Sequence, residues 1–296
     1  METKKITKRT VLITGSSAGI GYATAIYFAK KNWNVIATMR TRIKDTEKND
    51  LFKQYPNITV LQLDVTDKKS IEECFTAIIK KQQQIDVLIN NAGLGIYKPF
   101  ELTTDDEIQH LFSTNLFGMM NICRETIPIM RKQGKGTIIN VSSAVGVLAL
   151  PFYTVYCSTK FAVEGFSEAL YYEALPFGIQ IKLIEPGAIK TDFFQNAKNL
   201  PQQLQQQEKK QEIERINKEI YAEYKKHFGQ SLDREKSYDV TTAEKVAKTI
   251  YKAANDKSKK LRYTVGIDAT GSIMLKKILP QRLFLKLMRI VKKEKK

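Results

Sequence analysis

Residues 10–21 read Thr-Val-Leu-Ile-Thr-Gly-Ser-Ser-Ala-Gly-Ile-Gly: an apolar run meets three glycines, and a helical pattern follows. Thr10–Thr14 has the β-branched, apolar character of a buried strand. Gly15, Gly19 and Gly21 permit a tight turn and let backbone approach a ligand closely. A helix over about Ile20–Lys31 would then present free N–H groups and a positive dipole end to a phosphate. The glycine spacing departs from G-x-G-x-x-G, so the reading rests on the strand-turn-helix context.

Outward from this turn, short apolar runs alternate with amphipathic stretches. Asn34–Met39, Thr59–Leu63, Asp86–Asn90, Thr137–Val141 and Gln180–Ile184 read as strands. Helical patterns near Lys68–Lys81, Thr104–Arg131 and Val155–Leu175 separate them. Continuous Val/Ile/Leu strands alternating with helices indicate a parallel sheet covered on both faces. The expected fold is a doubly wound α/β domain of Rossmann type, in three layers α/β/α. One domain over 1–296 is expected, since no linker or repeat interrupts the pattern. Two stretches fall outside it: a Gln/Lys/Glu-rich excursion within about 195–240, read as a helical lid, and a basic amphipathic extension over about 271–296.

Composition narrows the function classes. The net charge is +17. From Lys257 to Lys296, thirteen Lys and Arg stand against Asp268 and Glu294, a surplus of +11 that leaves +6 for the other 256 residues. The basicity thus belongs to the C-terminus, where it suits an anionic membrane surface; a helix packed on the body with a Lys-rich tip is the other reading. No nucleic-acid recognition motif accompanies it. Cys74, Cys123 and Cys157 form no CxxC pair, so neither disulfides nor a metal site are expected. His110 and His227 are the only histidines, too little material for a Ser-His-Asp triad. No apolar run is long enough to span a bilayer, and the polar N-terminus lacks a signal-peptide core. A cytoplasmic protein, with membrane association left open, is expected.

The second strand ends Thr38-Met39-Arg40, with no carboxylate before Asp45. A Rossmann site for NAD carries an acid there, on the ribose hydroxyls, whereas a cation suits a 2′-phosphate. Arg40 therefore points to NADP(H) over NAD(H). Tyr156 and Lys160, four apart on a helical stretch, share one face. A phenol with pKa near 10 is a poor acid-base group at neutral pH, and a nearby ammonium would lower it. Ser142 and Ser143 end the preceding strand, where open α/β sheets bind ligands.

TGSSAGIG, Asn90-Asn91-Ala92-Gly93, Ser142-Ser143, YCSTK and Pro186-Gly187 occur in the order of the short-chain dehydrogenase/reductase family, which the chain resembles over about Thr10–Phe194. Tyr156–Gly165, Leu175–Ile179, Ala37–Arg40 and Tyr263–Ala269 resemble its 17β-hydroxysteroid dehydrogenase-like branch. The resemblance implies a catalytic tetrad of Asn115, Ser143, Tyr156 and Lys160, Ser143 being the serine thirteen residues before the tyrosine. It implies that Tyr156 exchanges the proton and that Ser143 holds the carbonyl oxygen. Lys160 would lower the Tyr156 pKa and bind the nicotinamide ribose, and Asn115 would support a water between Lys160 and solvent. For the cofactor it implies Gly15, Ser17, Gly19, Ile20 and Gly21 at the pyrophosphate and Arg40 at the 2′-phosphate. Asp64 and Val65 would flank the adenine, with Asn91, Ala92 and Gly93 over the adenosine ribose. Pro186, Gly187 and Thr191 would contact the nicotinamide end.

The implied substrate is a lipophilic carbonyl or alcohol, and the implied assembly is a homodimer or homotetramer. Two departures stand out. Ala18 occupies a position where NADP-specific relatives carry Ser or Arg, and the lid stretch is more polar than a steroid site would want. A catalytically silent NADP(H)-binding sensor and a membrane-associated interaction protein are the alternative readings on the same fold.

Overall fold

The computed structural model describes residues 8–40, 52–82, 84–197, 218–224 and 241–292. The chain runs β1 (Thr10–Ile13), α1 (Gly19–Lys30), β2 (Asn34–Met39), β3 (Ile58–Gln62), α2 (Lys68–Gln82), β4 (Val87–Asn90) and α3 (Asp105–Phe112). A π-helical stretch, Ser113–Gly118, joins α3 to α4 (Met119–Gln133), followed by β5 (Gly136–Val141), α5 (Thr154–Ala174), β6 (Ile179–Pro186) and β7 (Ile189–Lys190). A short helical segment covers 218–224. Then come β8 (Thr241–Thr242), α6 (Ala243–Asn255), β9 (Arg262–Val265), α7 (Ile267–Ile278) and α8 (Gln281–Lys292).

Seven strands form one parallel sheet in the order β3-β2-β1-β4-β5-β6-β9. Strand order reverses between β1 and β4, and ligands of doubly wound sheets bind at such a crevice. Successive strand side chains point to opposite faces, and both faces are apolar. Leu12, Leu88, Ile138 and Ile181 meet Phe75, Ile78, Ile122 and Leu170 of α2, α4 and α5 on one face. Val11, Ile13, Val87 and Ile139 meet Ala25 and Phe28 of α1 and Val246 and Ile250 of α6 on the other. This is the expected three-layer arrangement, with strands within one or two residues of their sequence positions. No described helix is long and apolar enough to cross a membrane.

Three features were not anticipated. The single helix read over Thr104–Arg131 is interrupted by the π stretch. Arg262–Val265 is an edge strand, and β7 pairs with β8 in a separate two-stranded sheet. The lid lies outside the described residues apart from 195–197 and 218–224. At the C-terminus Pro280 divides two helices: it cannot extend α7, and its carbonyl accepts from Leu283 and Phe284 N–H as α8 begins.

The loop after β4, which leads into the site, is tied down by a buried ion pair. Lys98 and Glu107 are 4% and 1% exposed, and Lys98 Nζ donates to both Glu107 carboxylate oxygens at 2.9 Å. Glu107 also closes the capping box of α3, accepting from Thr104 N–H at 2.8 Å while its own N–H donates to Thr104 Oγ1 at 3.2 Å. Removing one member of such a pair leaves an uncompensated buried charge. Lys98→Met is therefore expected to cost about 3–5 kcal/mol. In urea unfolding the midpoint should fall with an unchanged slope, and Lys98→Met/Glu107→Gln, which keeps the cap, should recover most of the loss. A neutral single variant would mean that the pair contributes nothing.

Candidate active site

The glycine turn is held from across the switch point. Asn91 Nδ2 donates to the carbonyls of Thr14 and Gly15, both at 2.9 Å. Thr14 Oγ1 accepts from Asn91 and Ala92 N–H, both at 3.0 Å. Gly15 lies at φ +68°, and a Cβ there would stand 2.8 Å from Ala92 Cα, so only glycine fits. No side chain caps the N-terminus of α1, and its first turn holds no acid. Its leading N–H groups thus face the crevice with the dipole's positive end. Arg40 is exposed at the C-terminal end of β2.

These features fit a dinucleotide: a cradle that a Cβ would fill, an uncapped helix start for the pyrophosphate, and a cation for a further phosphate. Ser17, Ile20 and Gly21 belong to that helix start, and Thr191 packs its methyl over Gly19. Asp64 Oδ1 accepts from Thr66 N–H and Oγ1, shaping the turn after β3. Val65 is buried against Gly118 of the π stretch. Among the described residues, no group of three or more His, Cys, Asp or Glu stands together.

The tetrad residues come together at the ends of β5 and α5. Ser143 follows β5, accepts from Val145 N–H, donates its hydroxyl to the Pro186 carbonyl at 3.4 Å and stands next to Tyr156. Tyr156 and Lys160 are both buried on α5. Lys160 Nζ donates to the Val141 carbonyl at 2.9 Å and lies 5.7 Å from the centroid of the Tyr156 ring. Gly93 borders both Asn115 Oδ1 and Lys160 Nζ. Asn115 sits in the π stretch, a geometry often found at functional sites. Its Oδ1 accepts from Leu94 N–H at 2.7 Å, and its Nδ2 donates to the Leu94 carbonyl at 2.8 Å and to Thr159 Oγ1 at 3.1 Å. Both Nδ2 hydrogens are thus engaged in fixing the loop after β4 to α5.

One expectation is corrected. A lowered Tyr156 pKa was anticipated from Lys160, but burial pushes the phenol up, and only the Ser143 hydroxyl opposes that rise. The reason is burial: desolvation of the enclosed phenol outweighs what Lys160, itself buried, offers. Burial also brings Lys160 down to about 8, a fall that Glu164, one turn on, partly offsets. Glu164 is itself raised by burial and held by Arg262, whose Nε donates to Oε2 at 3.0 Å.

An aromatic wall completes the site. The Phe193 ring lies 5.4 Å from that of Tyr156, and Phe193 also packs on Gly95. Tyr153 stacks between Tyr156 and Tyr97, and Tyr97 continues to Phe152 and Phe194. Phe152 adopts φ +66°, a strained conformation for a bulky residue, with its carbonyl accepting from Lys98 N–H at 2.9 Å. Behind the wall, Ile96, Leu148, Val155, Ile273 and Phe284 form one buried cluster with Tyr156. Pro186 and Gly187 close the far side. There Asp268 Oδ2 accepts from Ala188 N–H at 2.8 Å, and Gly187 N–H donates to the Val265 carbonyl.

Sequence reading had not assigned Thr14, Asp268, Glu164, Arg262 or the aromatic wall. Thr14, Glu164 and Asp268 carried a signal, through their places in TGSSAGIG and in the branch-like runs Tyr156–Gly165 and Tyr263–Ala269; Arg262 and the aromatic wall carried none.

Comparison with known proteins agrees with this geometry. The model of the short chain dehydrogenase family matches residues 9–202. A 3-ketodihydrosphingosine reductase of Bacteroides thetaiotaomicron is 40% identical over 63% of this chain and 66% of its own length. Human retinol dehydrogenase 8 is 39% identical over 62% of this chain and 60% of its own. The matches thus span less than two thirds of either relative. The solved structure of ElxO with NADP bound superposes with a TM-score of 0.69 at 31% identity, covering 87% of this chain and 98% of that one. The chain belongs to the short chain dehydrogenase family and shares its oxidoreductase fold.

Proposed function

We propose that this protein is an NADP(H)-dependent oxidoreductase that interconverts a secondary alcohol and a ketone, or an alcohol and an aldehyde, on a lipophilic substrate. The observation that carries the reading is Tyr156, a buried phenol next to the Ser143 hydroxyl, beside Lys160 and under an aromatic wall. Bound NADP(H) supplies the hydride in reduction and accepts it in oxidation.

The chain's own residues do the rest. Phe193, Tyr153 and Tyr97 form an apolar surface that excludes water and takes up a lipophilic body. Ser143 Oγ donates a hydrogen bond to the substrate oxygen and stabilises the charge that develops there. Tyr156, kept protonated by its burial, delivers its phenolic proton to that oxygen. Lys160 holds a positive charge nearby and would contact the ribose of the bound cofactor. Asn115 is a positioning residue. Its side chain fixes the loop after β4 to α5 through Leu94 and Thr159.

Arg40 supports NADP(H) as the preferred cofactor, because β2 ends in an exposed guanidinium rather than a carboxylate. The NADP bound to ElxO supports the same choice. Retinol and ketodihydrosphingosine, the compounds named for two relatives, are long apolar molecules and support a lipophilic substrate. A homodimer or homotetramer would cover the apolar side chains exposed next to and on α5: Phe117, Phe161 and Tyr172.

Three measurements test this reading. Tyr156→Phe should reduce turnover of lipophilic ketones by about 10²–10⁴-fold and leave NADPH binding intact. Unchanged turnover would remove Tyr156 from the chemistry. Arg40→Glu should weaken NADPH about tenfold to hundredfold, the worth of a charge-assisted hydrogen bond, with NADH unaffected; equal losses for both cofactors would refute the 2′-phosphate role. Finally, the ammonium of Lys160 is charged below about pH 8 and neutral above it. The reductive kcat/KM should accordingly fall as pH rises through that region, and a profile flat from pH 7 to about 9 would deny Lys160 its electrostatic part.

A further inference from the structure

The C-terminal helix pair has two unlike sides. Inward, Ala269 and Ile273 of α7 and Phe284 of α8 are buried in the cluster that contains Tyr156. Outward, Ile267, Met274 and Ile278 are 77%, 59% and 66% exposed. They fall at i, i+7 and i+11, one stripe along α7. Gly271, at i+4, extends the stripe, with open space where a Cβ would stand. Leu283 continues the apolar surface onto α8, more than half exposed. Isolated exposed apolar residues are ordinary, but a contiguous stripe on a helix is not.

The charge around the stripe identifies its partner. From Ile267 to Lys292 the chain carries Lys276, Lys277, Arg282, Lys286, Arg289 and Lys292 against Asp268 alone. Asp268 is turned inward to Ala188 N–H, and Lys276 turns back to the Val147 carbonyl. Lys277, Arg282 and Lys286 remain exposed beside Met274, Ile278 and Leu283. A second copy meeting this face about a two-fold axis would oppose the same cations with no acid of the face to pair them. An anionic lipid surface satisfies both properties, taking apolar side chains at the acyl boundary and Lys/Arg at the headgroups.

We propose that the outer surface of α7 and α8 docks on an anionic lipid membrane. Docking there brings the bilayer against the helices whose inner sides back the Tyr156 cluster. A lipophilic substrate would then reach the site without crossing water. This delivery step rests on the oxidoreductase reading; the docking does not.

The test is co-sedimentation of the full chain with vesicles of phosphatidylcholine, with and without phosphatidylserine. The protein should partition onto the anionic vesicles about tenfold or more above the neutral ones, less so at high salt. Met274→Ser/Ile278→Ser/Leu283→Ser and Lys277→Glu/Arg282→Glu/Lys286→Glu should each abolish the difference. All six positions are exposed, so melting temperature and turnover of a water-soluble ketone should not change. Equal partition onto both vesicles, or binding unmoved by either variant, would overturn the proposal. So would variants that lower the oligomeric state by light scattering with no vesicle binding in the parent, which would assign the face to a second copy. Sedimentation needs no turnover, so an inactive protein that binds vesicles would reject the oxidoreductase reading and keep the docking surface.

Discussion

The hydroxyl of Thr14 and the side-chain amide of Asn91 close four hydrogen bonds across the point where the sheet reverses direction. Everything that makes the crevice a site depends on that closure. The turn after β1 has a left-handed glycine, and its own side chains offer one tie, the Ser16 hydroxyl donating back to the Ile13 carbonyl at 3.1 Å. Left alone it would sample many conformations, because glycine restricts the backbone least. Asn91 removes that freedom from 76 residues away, and it does so by spending side-chain groups on backbone carbonyls that would otherwise lack partners. The start of α1 is then fixed in space with its N–H groups uncapped, and no reorganisation is needed to receive an anion.

The same economy of polar groups governs the chemistry. Tyr156 and Lys160 are buried on one helix, and burial disfavours the charged form of each. The phenol moves up and the amine down, so the two sites, close in proton affinity when free, are driven apart: the phenol keeps its proton while the amine becomes the easier of the two to deprotonate. Lys160 retains a charge near neutrality because Glu164 lies one turn further on, itself braced by Arg262 from the edge strand β9. Strand β9 therefore does more than extend the sheet. Its arginine lets α5 keep ionisable groups beside an apolar pocket, a combination that burial alone would neutralise.

How much of this was legible in the sequence differs by element. Strands β1, β2, β4, β5 and β6 were, because a parallel strand covered on both faces must be apolar throughout, and Val, Ile and Leu in unbroken runs have few other homes. The tetrad was also legible, as residue types in a fixed order. Strand β9 was not. Arg-Tyr-Thr-Val alternates polar and apolar residues over only four positions; Tyr263 and Val265 are buried in the core, while Glu164 and Glu185 of its neighbours receive Arg262 and Thr264. The π stretch at Asn115 leaves no periodic trace, since six residues cannot establish a period of their own. The aromatic wall was hidden for a related reason: Tyr97, Phe152 and Tyr153 come from two loops and Phe193 from the start of a helical stretch after β7, and no pattern along the chain reports that such segments converge. The direction of the Tyr156 shift was misread because spacing placed Lys160 on the same face but said nothing about how completely the phenol is buried.

The C-terminal pair shows why one side of a helix cannot be read without the other. Composition identified apolar and basic residues around Pro280, which suits a helix packed on the body, the reading favoured from the sequence, and also a helix lying on a membrane. The structure assigns the two properties to different residues. Ile273 and Phe284 are consumed by packing near Tyr156, whereas Met274, Ile278 and Leu283 are not. A helix needed only as a cover would keep its outer positions polar, and α7 has that option at every turn yet places Ile267, Met274 and Ile278 outside. The inner stripe explains why the helix stays on the domain; the outer stripe needs a second apolar phase to meet. For a site walled by aromatic rings and reached beside this helix, the phase that holds lipophilic molecules is the one that answers both needs.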